Sequence, residues 1–203
     1  MKIFCVGRNY VEHAKELGNE VPDEPVIFMK PKSSLLQSHT PFYYPEFCNE
    51  LHYEAELVLK VCKNGKYITE RHASKFYNAI TVGIDFTARD IQAELKKKGL
   101  PWEKAKAWDN SAVVGSWRET TPEMLKKPIN FSFKKNNELV QTGVTTDMIF
   151  TFDQIVSHIS NYFSLNIGDL IYTGTPAGVG ECVVSDVLEG FFEEDKVFQI
   201  EVK

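Results

Sequence analysis

The sequence contains little cysteine and no long apolar run. Its four cysteines, Cys5, Cys48, Cys62 and Cys182, are scattered, and no two have the two-residue gap of zinc and redox motifs. We therefore expect reduced cysteines that serve in packing. No apolar run approaches the roughly 20 residues of a membrane span, and the N-terminal residues lack the basic start and cleavage site of a secretory signal. These absences predict a soluble protein of a reducing compartment, most simply the cytoplasm, with no membrane partner.

An excess of positive charge is also missing. The 23 Lys and Arg residues are outnumbered by 28 Asp and Glu residues, which gives a net charge of −5 and an isoelectric point near 5.6. This balance is the opposite of a nucleic-acid-binding footprint, so we expect no nucleic acid partner. No repeat, low-complexity tract or linker divides the 203 residues, which favours a single domain over residues 1–203. A chain of this length folds without a metal, so a bound metal would serve chemistry.

Short β-branched and aromatic runs outnumber the helical patterns. The predicted strands cover residues 2–6, 26–29, 55–62, 79–86, 129–133, 169–173 and 197–202. The predicted helices cover residues 10–17, 72–78, 88–98 and 152–163. Strands and helices do not alternate regularly, and no Gly-x-Gly-x-x-Gly follows the first strand, which argues against a doubly wound sheet. The pattern predicts an α+β fold that is mostly β.

Three carboxylates lie in or beside apolar strand patterns. Residues two apart on a strand share a face, so Glu54 and Glu56 project side by side and repel each other unless solvent or a cation separates them. Asp85 ends the next apolar run and is either a ligand or a helix cap, although Thr87 is the better-placed cap. Three carboxylates from two strands would suit Mg²⁺ or Mn²⁺ rather than zinc. An exposed strand start with two solvated glutamates remains the alternative.

A histidine and a glutamate share one face of the first predicted helix. His13 and Glu16 are three residues apart, and an imidazole beside a carboxylate is the arrangement of an oriented general base. Surface helices carry such pairs routinely, so a solvated pair is the alternative. The cations Lys30, Arg89 and Lys106 are candidates to bind an acidic substrate, Arg89 bidentately, or are solvated surface charges.

A glycine-rich loop runs from Thr173 to Gly180. Its small residues allow the backbone to approach a ligand closely, although a purely structural turn explains them equally well. It lacks the Gly-Lys-Ser/Thr ending of a Walker loop.

The ordered set of these segments resembles the fumarylacetoacetate hydrolase superfamily, most closely its small acylpyruvase and oxaloacetate decarboxylase branch. The similar segments extend over almost the whole chain. They are Val6-Gly7-Arg8-Asn9-Tyr10, Phe28-Met29-Lys30-Pro31, Glu54-x-Glu56, Gly83-Ile84-Asp85-Phe86-Thr87-Ala88-Arg89-Asp90-Ile91-Gln92, Lys97-Lys98-Gly99-Leu100-Pro101-Trp102 and the loop from Thr173 to Gly180. Two departures are Ala107-Trp108-Asp109-Asn110, which replaces the usual Ser/Gly-Phe after the pocket lysine, and Glu181-Cys182 after Gly180.

The resemblance implies a mixed, mostly antiparallel β-roll or barrel-like fold with short helices and an N-terminal lid helix. It also implies a homodimer that binds Mg²⁺ or Mn²⁺ through Glu54, Glu56 and Asp85. By the same resemblance, His13 and Glu16 form a water-activating dyad on the lid helix. The implied substrate contacts and pocket residues are Arg89, Gln92, Lys106, Thr175 and Lys30.

The chemistry that these residues permit starts from a 2-keto acid chelated by the ion. The ion and Lys106 would stabilise charge on the 2-oxygen, so C–C cleavage would release the enolate of pyruvate. The leading hypothesis is a metal-dependent hydrolase that cleaves acylpyruvates to pyruvate and a carboxylic acid and also decarboxylates oxaloacetate. The alternatives are an isomerase or decarboxylase of aromatic-degradation intermediates, and a non-catalytic binder of 2-keto acids.

Overall fold

A computed structural model describes residues 1–12, 21–37 and 40–203 of the chain. Its strands are β1 (Ile3–Gly7), β2 (Val26–Lys30), β3 (Leu51–Tyr53), β4 (Ala55–Val61), β5 (Tyr77–Asp85), β6 (Thr87–Ala88), β7 (Ala112–Val114), β8 (Arg118–Glu119), β9 (Asn130–Lys135), β10 (Glu138–Val144), β11 (Leu170–Tyr172), β12 (Gly180–Glu181), β13 (Val187–Phe192) and β14 (Asp195–Glu201). Its α-helices are α1 (Glu70–Ala73), α2 (Arg89–Lys98), α3 (Glu103–Lys106), α4 (Pro122–Leu125) and α5 (Phe152–Tyr162). Short 3₁₀ turns cover Lys32–Ser34 and Thr145–Asp147.

Within the described residues the strands form three sheets, and the largest curls into a half-barrel. Its path is β2-β1-β11-β4-β5-β7, with β8 also paired to β5. Strands β1 and β11 are parallel, whereas the other pairs in this sheet are antiparallel. A four-stranded sheet has the order β10-β9-β13-β14, and a three-stranded sheet has the order β12-β3-β6. The predicted α+β architecture, mostly β and mixed in strand direction, is confirmed.

Strands β4 and β5 lie in the middle of the large sheet and carry apolar residues on both faces. Six of the seven β4 residues are buried, as expected for a strand that is covered on both sides. In the antiparallel register, Glu56 is opposite Gly83 and Ala55 is opposite Ile84. The backbone N–H of Asp85 then donates to the carbonyl of Glu54 at 2.8 Å. The pairing of two apolar strands therefore brings acidic residues together at one end of the sheet.

Helix α2 follows β6 directly and places polar side chains beside the same end of the sheet. The helix ends at Gly99, whose φ of +65° suits a left-handed C-cap. Ala88 occupies the N-cap without a side-chain hydrogen bond, so the prediction that Thr87 caps this helix is wrong. Thr87 instead belongs to β6, and its hydroxyl donates to the carbonyl of Asp85 at 3.3 Å.

The predicted helix over residues 72–78 is also wrong. Only Glu70–Ala73 is helical there, and β5 begins at Tyr77. Tyr77 is opposite Val61 in the β4–β5 ladder, and its hydroxyl donates to Asp153 at 2.9 Å. These long-range contacts override the weak local helix propensity. The helix predicted over residues 152–163 is confirmed as α5, which begins with a capping box between Thr151 and Gln154.

Candidate active site

Three buried carboxylates converge at the end of the β4–β5 pair. Glu54 lies between β3 and β4, Glu56 lies in β4, and Asp85 is the last residue of β5. One carboxylate oxygen from each lies within 4.8 Å of those of the other two. All three residues are at most 6% exposed. The structure therefore excludes the alternative of two solvated glutamates at an exposed strand start.

The ammonium of Lys106, at the end of α3, bridges two of these carboxylates. Its Nζ donates to Oε2 of Glu54 and to Oδ2 of Asp85, both at 2.8 Å. Arg89 adds a second cation, with Nη2 at 2.6 Å from Oε1 of Glu54. Desolvation lowers the pKa of Lys106, but the charges of Asp85 and Glu54 outweigh this effect and raise the pKa above its usual value. Lys106 is therefore a permanent positive charge beside the carboxylates.

Glu56 is held from the opposite side by the glycine-rich loop. The backbone N–H of Gly174 donates to Oε2 of Glu56 at 2.7 Å. Burial raises the pKa of Glu56 well above its usual value, and the neighbouring charges of Asp85 and Glu54 raise it further. A cation bound between the carboxylates would relieve this repulsion.

Gly174 permits this contact because the loop passes very close to Asn9. The φ of Gly174 is +102°, and a Cβ added there would lie 2.6 Å from Cβ of Asn9. Asn9 is itself fully buried and donates to the carbonyls of Thr173, at 2.7 Å, and Phe150, at 3.0 Å. Asn9 thus fixes the loop that presents the Gly174 N–H to Glu56.

Lys30 lies behind Asp85 rather than among the side chains that line the cavity. Its Nζ is 2.8 Å from Oδ1 of Asp85, and both side chains have no exposed surface. The same ammonium donates to the carbonyls of Phe86, Lys106 and Ser111. The ring of Trp108, one of the departures from the family pattern, lies 5.4 Å from this Nζ. Lys30 therefore orients Asp85 and anchors the end of α3.

A cavity of about 30 Å³ opens in front of the carboxylates. Its lining includes the predicted substrate contacts Arg89, Gln92, Lys106 and Thr175. Nη1 of Arg89 donates to Oε1 of Gln92 at 2.7 Å, which fixes the two side chains relative to each other. The Thr175 hydroxyl donates to the carbonyl of Ala55 at 2.8 Å and accepts from Nε2 of Gln141 at 2.9 Å, so both contacts fix it at the cavity wall.

Two further cations, Arg8 and Lys96, line the same cavity. Neither was predicted from the sequence as a site residue. Arg8 lies in a segment that supports the family resemblance, and this was the only feature of the sequence that pointed to a role for it. Lys96 begins the run Lys96-Lys97-Lys98, which is indistinguishable in sequence from a solvated helix end.

The donor set fits a hard divalent cation. Three carboxylates supply only oxygen ligands, which Mg²⁺ and Mn²⁺ prefer and which do not favour zinc. Their spacing within 4.8 Å allows one ion to contact all three. The four cysteines are free, and Cys5, Cys48 and Cys182 are buried. His13 and Glu16, together with most of the predicted lid helix, lie outside the described residues.

The chain belongs to the fumarylacetoacetate hydrolase family. The family description "Fumarylacetoacetate (FAA) hydrolase C-terminal" matches residues 2–202. A mouse protein named mitochondrial oxaloacetate tautomerase FAHD1 is 41% identical over 189 residues, which is 92% of this chain and 85% of the relative. Oxaloacetate tautomerase YcgM of Escherichia coli is 39% identical over 194 residues, which is 95% of this chain and 88% of the relative.

A solved structure connects the fold to a metal. The fumarylpyruvate hydrolase of Pseudomonas aeruginosa, in complex with Mn²⁺ and pyruvate, superposes with a TM-score of 0.93 and 32% identity, covering 100% of this chain and 89% of that one. The predicted family, its fold and a divalent cofactor of the Mg²⁺ or Mn²⁺ type are thereby confirmed. No helix among the described residues is long and apolar enough to cross a membrane.

Proposed function

We propose that the protein is a divalent-metal-dependent enzyme of 2-keto acids, with oxaloacetate as a substrate. The observation that carries the proposal is the convergence of Glu54, Glu56 and Asp85 within 4.8 Å, with the ammonium of Lys106 bridging two of them. The names of the two oxaloacetate tautomerases support the choice of substrate.

The proposed reaction requires the site to stabilise negative charge on the 2-oxygen of the substrate. A divalent ion held by Glu54, Glu56 and Asp85 would supply Lewis-acid polarisation of the keto group. Lys106 contributes a second fixed positive charge, which needs no reorganisation as the charge develops. Both interconversion of the enol and keto forms of oxaloacetate and its decarboxylation develop charge at this oxygen.

The remaining cavity residues would bind and orient the substrate. Arg89 has a planar array of donors that can hold a carboxylate while keeping its contacts to Glu54 and Gln92. The hydroxyl of Thr175 donates its hydrogen to Ala55 and accepts from Gln141, which leaves one lone pair to accept a hydrogen bond from an enol hydroxyl. Lys30 acts through Asp85 and has no direct contact with substrate in this proposal.

Hydrolysis of acylpyruvates to pyruvate and a carboxylic acid is the second candidate function. It is favoured by the likeness to a fumarylpyruvate hydrolase in complex with Mn²⁺ and pyruvate, which covers the whole chain. This reaction also needs an activated water, for which His13 and Glu16 are the proposed base and its orienting carboxylate. We retain as proposals a single catalytic domain over residues 1–203, a homodimer and a cytoplasmic location.

A substrate panel tests the proposal. Metal-stripped protein is assayed with oxaloacetate, for enol–keto interconversion and for loss of carbon dioxide, and with acetylpyruvate, for hydrolysis. Each assay is run with Mg²⁺, with Mn²⁺ and with chelator. We expect turnover of oxaloacetate that requires metal and is lost in Asp85→Asn but kept in Glu138→Gln, which changes an exposed acid on β10. Full activity under chelator, or an active Asp85→Asn, contradicts the proposal.

A further inference from the structure

Among the residues that the structure describes, the charges that line the cavity are not balanced. Three carboxylates face four cations, Arg8, Arg89, Lys96 and Lys106. Arg89 and Lys106 pair with these carboxylates, and Lys30 pairs with Asp85 from behind. Among the described residues, no carboxylate lies within ion-pair distance of Arg8 or Lys96. A divalent ion would add further positive charge, so an anionic ligand is needed to balance the occupied site.

Lys96 extends the polar face of α2 that already borders the carboxylates. Arg89, Gln92 and Lys96 have the i, i+3, i+7 spacing of one helix face, and all three line the cavity. The Nζ of Lys96 lies 5.5 Å from the ring centre of Trp102, another lining residue. On this helix face, Arg89 therefore lies at the end next to the carboxylates, and Lys96 lies at the other, outer end.

Arg8 approaches the cavity from the end of β1. Its φ of +61° lies in the left-handed region, which is unusual for a residue with a side chain. The positive charge of Arg8 also helps to lower the pKa of Lys96, after the larger effect of desolvation. Two cations therefore influence each other at one cavity, which is unfavourable unless an anion binds between them.

We propose that Arg8 and Lys96 form a subsite for a second carboxylate, which makes the enzyme selective for 2-keto dicarboxylates over 2-keto monocarboxylates. This inference rests on the proposed function, because the first carboxylate and the keto oxygen are assigned to Arg89 and the metal centre. The second carboxylate then lies towards the outer end of α2, between Arg8 and Lys96. Oxaloacetate has this pair of charges, whereas acetylpyruvate has one.

Binding of two unreactive 2-keto acids tests the subsite directly. Isothermal titration calorimetry of Mn²⁺-loaded protein compares 2-oxoglutarate, a dianion, with 2-oxobutyrate, a monoanion. Each charge-assisted contact is worth about tenfold in affinity. We expect the dianion to bind wild-type protein at least about tenfold more tightly. Lys96→Gln and, separately, Arg8→Gln should reduce this preference by about tenfold, leaving the monoanion affinity within about twofold.

The controls separate the subsite from the rest of the site. Lys97→Gln removes the adjacent exposed charge of α2 and should keep the full preference, and Lys96→Arg should restore most of it. Lys96 is exposed, so its variants test the proposal even if Arg8→Gln fails to fold. An unchanged preference in Lys96→Gln, or the same loss in Lys97→Gln, overturns the subsite but leaves the proposed function standing. Absence of metal-dependent binding of both acids to wild-type protein overturns both.

Discussion

Nζ of Lys30 lies 2.8 Å from Oδ1 of Asp85, and neither side chain has any exposed surface. The lysine comes from β2, at the edge of the large sheet, and the aspartate ends β5, which lies four positions away along the sheet path. The ion pair therefore connects the edge of the sheet to the end where the three carboxylates converge. Lys30 sets the position of a proposed metal ligand rather than binding substrate itself.

Replacing Lys30 with Met should destabilise the protein strongly. Removal of Lys30 leaves Oδ1 of Asp85 buried without its cation, because Lys106 contacts only Oδ2, and the loss of one partner of a buried ion pair costs up to about 3–5 kcal/mol. Chemical denaturation measures the change in unfolding free energy. Lys32→Met, two residues along and exposed, is the matched control and should change it by less than about 0.5 kcal/mol. Equal stability of Lys30→Met and wild type would show that the pair is unimportant for folding.

Gly174→Ala should weaken metal binding as well as folding. Its Cβ would lie 2.6 Å from Asn9, so the loop must shift and carry the Gly174 N–H away from Glu56. Gly168→Ala is the control, because Gly168 has a φ of +87° but open space around its Cβ position. We expect the control to lose about 1 kcal/mol of stability from backbone strain alone and to bind Mn²⁺ normally. Normal Mn²⁺ affinity in Gly174→Ala would contradict the role assigned to this contact.

Asp90 should make a pH-dependent contribution to stability. Partial burial acts to raise its pKa, but hydrogen bonds from the backbone N–H groups of Asn49, at 3.0 Å, and Ile91, at 2.9 Å, lower it below the ordinary 3.8. The contribution is therefore present above pH 3.8 and is lost as the pH falls through the lower, folded-state pKa. Because Asp90 is near the surface, it amounts to at most about 1 kcal/mol.

Asp90→Asn mimics the protonated carboxyl and isolates this effect. We expect the variant to be less stable than wild type at pH 7, and the difference to shrink as denaturation is repeated from pH 6 towards pH 3. A difference that is constant over this range would mean that the charge of Asp90 is not the cause.

His13→Ala separates the two proposed activities. Hydrolysis of acetylpyruvate needs an activated water, whereas decarboxylation of oxaloacetate does not, so the variant should lose about 100-fold or more of the first activity and little of the second. Measurement of both rates on one preparation makes each the control for the other. Equal losses would show that His13 does not act specifically on water.

The proposed metal ligands could be predicted from the sequence because their signal is local. Glu54 and Glu56 interrupt an apolar strand pattern, and Asp85 ends another, so each is conspicuous without knowledge of the fold. The contributions of Arg8 and Lys96 depend on which way β1 and α2 point, and this is decided by tertiary packing. The sequence predicted that Lys30 lies near the pocket. Only the strand order shows that it contacts Asp85 on the side away from the cavity.

The errors in the predicted secondary structure also arise because tertiary contacts, which the local sequence does not reveal, decide the outcome. Residues 72–78 have a helical pattern, yet Tyr77 is recruited into β5 by its pairing with Val61, sixteen positions earlier. Strands β10 and β13 were not predicted. β13 contains Glu189 and Gly190, which weaken its strand pattern, and it forms through contacts with β9 and β14. Long-range pairing, rather than local propensity, determines these elements.

Titration of metal-stripped protein with Mn²⁺, with bound metal and oxaloacetate turnover measured on the same samples, decides whether Glu54, Glu56 and Asp85 form a metal-dependent active site. We expect one Mn²⁺ per chain, turnover that rises in proportion to bound metal, and loss of both in Glu56→Gln. Undiminished turnover by the metal-stripped protein, or wild-type Mn²⁺ binding by Glu56→Gln, would contradict it.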